Sequence, residues 1–202
     1  MAKRKMEGAD NSKIQEFWNW FEANSSQINP EKITEEMIDT LDSKILELGD
    51  FAWEIREGKT KSNMLVISPG GDIDLLEKTK KIIENAISVD EWEFEYFKPA
   101  KEWDYSFYID DTTEIDASSW EYVLLKFSDG TFDLLIKAEN INSLDDEEQS
   151  IAIDIVLESS IGEKNYLERI LNYELVSAFE GKYNGKENKI TVLPEHFSSY
   201  LN

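Results

Sequence analysis

The chain has 202 residues, and its 43 acidic and 21 basic side chains give a formal net charge of −22 at pH 7. This charge disfavours binding to nucleic acid and to anionic membranes, because phosphate groups are bound by clustered Lys and Arg. The absence of cysteine excludes disulfides, thiolate zinc sites and cysteine nucleophiles, whereas 41% apolar and 12% aromatic residues are sufficient to form a core.

The N-terminus predicts a short disordered tail followed by one domain. Residues 1–11 are polar, and a single domain is expected from residue 12 to residue 202. The tail carries basic residues, but no apolar run follows them, which argues against a secretory signal. No segment reaches the ~18 apolar residues that span a bilayer. We therefore expect a cytoplasmic protein.

Two helices are predicted after the tail. Ser12 is a candidate N-cap, and Gln15 completes a capping box for a helix over residues 13–25. Pro30 suits the start of a second helix, which Gly49 would end. The apolar residues at helical spacing are Ile14, Phe17, Trp18 and Phe21, then Ile33, Met37, Ile38, Leu41, Ile45 and Leu48. In the first helix, Phe17, Trp18 and Phe21 are predicted to pack inward, with Trp20 nearer the rim.

Two later regions, residues 51–98 and residues 120–175, each predict the order strand, strand, helix, strand. The first region is read as strands at 51–55 and 64–67, a helix capped by Asp72, and a strand at 92–96. The second is read as strands at 120–127 and 131–138, a helix capped by Ser143, and a strand at 166–175. Asp129-Gly130 between its first two strands is typical of a hairpin turn. A further strand is expected at 190–193.

The repeated order predicts an α+β fold. We expect a largely antiparallel sheet built from two strand-strand-helix-strand units, with helices mainly on one face, preceded by the two N-terminal helices. The two regions share no convincing residue identity, so the pattern does not establish a duplication. Between them, residues 100–118 are acidic and suit a short edge strand or a packed loop.

Three patterns were considered for catalysis or ligand binding. The glycine turn at 68–72 lacks the spacing of a phosphate-binding loop. The carboxylates of residues 110–116 lack the spacing of a calcium loop. His196 is the only histidine, near a C-terminus expected to be mobile, and no nucleophile motif accompanies it. We therefore predict no catalytic residue, no metal site and no cofactor.

The segment Phe17-Trp18-Asn19-Trp20-Phe21 carries a family resemblance. It matches an F-W-x-W-F signature, and the chain resembles a group of uncharacterised bacterial proteins with an N-terminal helix of this kind. Further matching features are residues 66–68 before a glycine turn, residues 92–97 before Pro99, and residues 161–163 after an apolar helix. The resemblance covers most of residues 14–175. It implies a bacterial protein of this group, with no established activity and no catalytic residue to carry over.

The acidity is typical of a soluble protein, and it also suits a basic partner. The stretch from residue 90 to residue 116 holds ten acidic residues but only two basic ones, and the stretch from residue 139 to residue 163 holds eight acidic residues and no basic one. We expect a partner-binding surface on one or both of these segments. Its predicted members are the aromatic anchors Trp103 and Tyr105 and the acidic Asp110, Asp111 and Glu114. The favoured function is a non-enzymatic protein-interaction module, such as an immunity protein that neutralises a toxin. The alternatives are a carboxylate- and metal-dependent hydrolase using residues 110–116, and a small-molecule binding module using residues 92–108.

Overall fold

The computed structural model describes the backbone of residues 2–30 and 32–201 and the side chains of residues 11–30 and 32–201. The chain divides into two compact units, Met1–Lys98 and Pro99–Asn202, and each has its own buried core. The single domain over residues 12–202 stays a prediction. So does the disordered tail, since the side chains of residues 1–10 lie outside the described residues.

The described residues of unit 1 form three helices and a three-stranded sheet. In chain order the elements are α1 (Ala2–Asn24), α2 (Glu35–Leu46), β1 (Ala52–Glu57), β2 (Asn63–Ser68), a 3-10 turn (Ile73–Leu75), α3 (Leu76–Glu84) and β3 (Trp92–Glu95). Strand β1 pairs antiparallel with β2, and β2 pairs parallel with β3.

The core of unit 1 forms around one face of α1. Phe17, Trp18 and Phe21 are buried on this face, as predicted, and Trp20 is only partly buried. Further buried members are Ile28, Leu41 and Ile45 before the sheet, Leu65 and Ile67 of β2, Ile82 of α3, and Trp92 of β3. The aromatic helix is therefore a structural element of this unit.

Unit 2 is a four-stranded sheet with a separate hairpin and three helices. Its elements are β4 (Ser106–Tyr108), β5 (Glu114–Asp116), β6 (Glu121–Lys126), β7 (Phe132–Lys137), α4 (Asp146–Ile161), α5 (Glu163–Arg169), β8 (Ile170–Leu175), β9 (Asn188–Lys189) and α6 (Leu193–Ser198). The sheet order is β8-β7-β6-β9, whereas β4 pairs only with β5 within the described residues.

The two strand-strand-helix-strand units and the α+β class are confirmed. In unit 1, β1 and β2 pair antiparallel, and β3, which follows the helix, pairs parallel with β2. In unit 2, β6 and β7 pair antiparallel, and β8, which follows the helices, pairs parallel with β7. Parallel neighbours need a long crossover connection, which α3 supplies in one unit and α4 with α5 in the other. Four of the six strand pairs are antiparallel, but the two units form separate sheets instead of contributing to one.

Three predicted helix starts are wrong: α1 begins earlier in the chain, and α2 and α4 are capped by other residues. Ser12 lies inside α1, where its hydroxyl donates to Glu16 Oε1 at 2.9 Å. Helix α2 starts after Thr34 and not at Pro30, since Thr34 Oγ1 accepts from the Met37 amide. Helix α4 is capped by Asp145 instead of Ser143, and Glu148 Oε2 accepts from the Asp145 amide at 3.0 Å.

Two predicted strands are partly helical. The segment before β8 forms α5, which follows Gly162 at a φ of +81°, a left-handed value that favours glycine. The predicted strand at 190–193 is a 3-10 turn that leads into α6, with Pro194 in the first turn. Proline is compatible with that position because the first helical N–H groups have no intrahelical acceptor.

Candidate functional site

The hairpin β4–β5, residues 106–116, has one apolar face and one acidic face, and we call it the acidic hairpin. Phe107 pairs with Ile115 and Tyr108 pairs with Glu114. Because side chains alternate along a strand, Phe107 and Ile115 share the face that packs on the unit 2 core. Tyr108, Glu114 and Asp116 occupy the opposite face, where Tyr108 is 59% exposed. The exposed ring of Tyr108 therefore shares a solvent-facing surface with the carboxylates of Glu114 and Asp116.

Asp110 shapes the turn of the acidic hairpin. Its Oδ1 accepts hydrogen bonds from the amides of Thr112 and Thr113 at 2.6 and 2.7 Å, and its Oδ2 accepts from Thr113 Oγ1 at 2.9 Å. These donors stabilise the carboxylate and lower the pKa of Asp110 to about 2. The predicted partner residue Asp110 thus has a local role in turn formation.

The Asp110 carboxyl is expected to titrate with a pKa of about 2 in the folded protein. Since this pKa lies below the usual value, the turn gains stability above about pH 4 and loses it as pH falls towards 2. Replacing Thr112 and Thr113 with valine removes the two hydroxyl donors and should raise the pKa. Carboxyl-carbon NMR titration measures this directly, and an unchanged pKa in the double variant would show that the hydroxyls do not contribute.

Trp103 and Tyr105 are not the exposed anchors that the sequence predicts. Tyr105 is 6% exposed, and its ring stacks on Trp103 with centroids 4.8 Å apart. Its backbone has a φ of +67°, which is uncommon for an aromatic residue, and its carbonyl accepts from the Ala117 amide at 2.8 Å. Burial raises the pKa of the Tyr105 hydroxyl, which donates to the Thr191 carbonyl at 3.5 Å. Trp103 is partly buried against the same core.

The remaining predicted residues lie at the hairpin surface. Asp111 and Glu114 are exposed, and Glu114 accepts from Ser106 Oγ at 3.2 Å. Sequence reasoning missed Tyr108 as the exposed ring. The signal that identifies it is the period-two pattern, which places Tyr105 and Phe107 on the inner face and Tyr108 on the outer one.

Two further groups of titratable side chains are parts of the fold. Asp154 Oδ1 accepts from the hydroxyls of Tyr166 and Tyr173 at 2.6 and 2.9 Å, which connects α4, α5 and β8. His196 lies in α6, where Nδ1 is 2.7 Å from the buried Tyr122 hydroxyl. Leu193 and Phe197 of α6 are buried in the core of unit 2, so the helix that carries His196 is held in the fold, in contrast to the mobile C-terminus that the sequence predicts.

Among the described residues, no group of three side chains that could bind a metal ion comes together.

Comparison with known proteins adds no family assignment. No protein-family model, curated protein or solved structure matches the chain. Within the described residues, no helix combines the length and the apolar composition that crossing a membrane requires. The resemblance carried by Phe17–Phe21 therefore stays a prediction, and the acidic hairpin is defined as the candidate site by its own geometry.

Proposed function

We propose that this chain is a non-enzymatic protein-interaction module whose acidic hairpin binds a basic surface on another protein. The observation that carries the proposal is the position of Tyr108 on the same solvent face as Glu114 and Asp116. An aromatic ring of this kind contributes contact area at little entropic cost, and surrounding carboxylates select a cationic surface.

The charge of the surrounding segment supports this choice of partner. Six acidic residues and no basic one lie between Glu102 and Asp116. Asp111 and Glu114 are exposed, so their charges act on an approaching protein instead of being neutralised in a core. Complementary charge of this type mainly accelerates association, and salt weakens the effect.

The most concrete version of the proposal is an immunity protein that neutralises a basic toxin in the bacterial cytoplasm. The high net negative charge supports such a role, because it increases the rate of encounter with a positively charged protein. The buried Tyr105 and the partly buried Trp103 pack under the inner face of the hairpin. The partner-binding residues in this version are Tyr108, Asp111 and Glu114.

A site-specific photocrosslinker in place of Tyr108 should capture the partner in cells, whereas the same crosslinker at the exposed Leu46 of unit 1 should not. With the captured protein purified, Asp111→Lys together with Glu114→Lys is expected to slow association by about tenfold or more at low salt. Dissociation should change little. Asp110 stays unchanged because its carboxylate forms the turn.

The matched control reverses two exposed acidic residues of unit 1, Asp39→Lys together with Glu57→Lys, which changes the net charge by the same amount. It is expected to slow association much less, since the effect depends on position as well as on net charge. Added salt should reduce the difference between the two variants. Equal association rates in the two variants at low salt would reject the acidic hairpin as the binding surface.

A further inference from the structure

Unit 1 contains a cavity of about 200 Å³ with an apolar floor and a basic rim. The floor includes Ile14 of α1 and Ile82 of α3, both of which are buried. Phe51, in the connection between α2 and β1, lines the same cavity. Leu48 and three lysines, Lys13, Lys78 and Lys81, complete the lining.

The wall formed by Phe51 depends on a glycine. A Cβ atom at Gly49 would lie 2.6 Å from Cε2 of the Phe51 ring, which is closer than real Cβ contacts allow. The Phe51 amide also donates to the Gly49 carbonyl at 3.0 Å. Glycine at this position therefore allows the ring to fold back over the connection, where it lines the cavity.

The three lysines are unusual in so acidic a chain. Lys78 and Lys81 are three residues apart on α3, and this spacing places them on one face of the helix. Among the described side chains, no carboxylate pairs with either of them, whereas Lys80 on the same helix pairs with Glu77 at 3.9 Å. Lys13 Nζ donates to the Glu47 carbonyl at 3.2 Å. Because like charges repel, lysines that line the same cavity without carboxylate partners favour the binding of an anion there.

We propose that this cavity binds a small amphipathic anion, with a carboxylate or phosphate group at Lys78 and Lys81 and an apolar body against Ile14, Phe51 and Ile82. The volume is below the ~300–1,000 Å³ of pockets that hold drug-sized ligands, so the body is a single ring or a short chain. The overall negative charge does not prevent binding, because fields beyond about 8–10 Å are screened at physiological salt. This site is independent of the acidic hairpin in unit 2.

Titration of the protein with phenyl phosphate, followed by amide NMR, tests the proposal. Saturable shifts are expected at Ile14, Phe51 and Ile82, with a dissociation constant of about 1 mM or tighter. Inorganic phosphate lacks the ring and phenol lacks the charge, so each should bind about tenfold more weakly or worse. Benzoate distinguishes a preference for carboxylate from one for phosphate. The absence of saturable shifts with both phenyl phosphate and benzoate would overturn the proposal.

Lys78→Gln together with Lys81→Gln is expected to weaken phenyl phosphate binding by about tenfold. The matched control is Lys80→Gln, on the same helix but outside the cavity lining, and it should weaken binding by less than about twofold. The substituted residues Lys78, Lys80 and Lys81 are at least partly exposed, so the variants should retain the wild-type amide spectrum outside the cavity. Equal loss of binding in the double variant and in Lys80→Gln would overturn the assignment to this cavity.

Discussion

Replacing Trp18 with alanine is expected to lower the free energy of unfolding by about 3–5 kcal/mol. The Trp18 side chain is fully buried, and its indole N–H donates to the Ile82 carbonyl at 2.9 Å. Its ring also contacts Phe21 and Phe94 with centroids 5.8 and 4.6 Å apart. The substitution therefore opens a cavity beside the sheet and removes the indole donor to a buried carbonyl of α3.

Urea unfolding of two further variants separates these contributions. Trp18→Phe keeps most of the ring and loses the indole donor, so it should cost about 1–3 kcal/mol. Trp20→Ala removes an indole of the same segment that is only partly buried, and its cost should be clearly smaller than that of Trp18→Ala. An unchanged urea midpoint for Trp18→Ala would contradict a structural role for this helix.

The order strand, strand, helix, strand along residues 51–98 and 120–175 could be predicted from sequence, because the signals for each element are local. Asp129-Gly130 lies between two apolar runs and forms the turn between β6 and β7. The helix starts were less accurate, since several residues near each start are able to cap. Ser143 and Asp145 both fit the pattern, but only Asp145 has Glu148 three residues later to complete the reciprocal pair.

The candidate sites were harder to predict because they depend on contacts that a local pattern does not contain. The acidic segment was identified, yet the exposed ring is Tyr108 while Tyr105 packs on the core beside Trp103. The basic cavity combines Lys13 of α1 with lysines of α3 far along the chain. Only the packing of α1 against α3 brings these lysines to one cavity, so no sequence spacing indicates it.

Unit 2 is expected to lose stability steeply above about pH 10 because its buried tyrosines resist ionisation. Burial raises the pKa of Tyr105, Tyr122, Tyr166 and Tyr173, and the hydrogen bond with Asp154 raises that of Tyr166 further. A raised folded-state pKa leaves stability intact below the unfolded value of about 10 and reduces it as pH rises further. Above that value, a tyrosine whose folded-state pKa is raised far enough contributes a loss that approaches about 1.4 kcal/mol per pH unit. The pKa is raised most for Tyr122 and Tyr166, so these two tyrosines are expected to dominate the alkaline loss of stability.

Urea midpoints measured between about pH 8 and pH 11 test this expectation against two phenylalanine variants. Tyr122→Phe loses the hydrogen bond to His196, which should cost about 1 kcal/mol at neutral pH. It also removes one titrating group, so above about pH 10 its stability should fall less steeply than that of the wild type, with a difference that approaches about 1.4 kcal/mol per pH unit. The control is Tyr108→Phe, which removes an exposed tyrosine instead of a buried one and should keep the wild-type slope. Identical slopes for Tyr122→Phe and the wild type would show that the Tyr122 hydroxyl does not control alkaline unfolding.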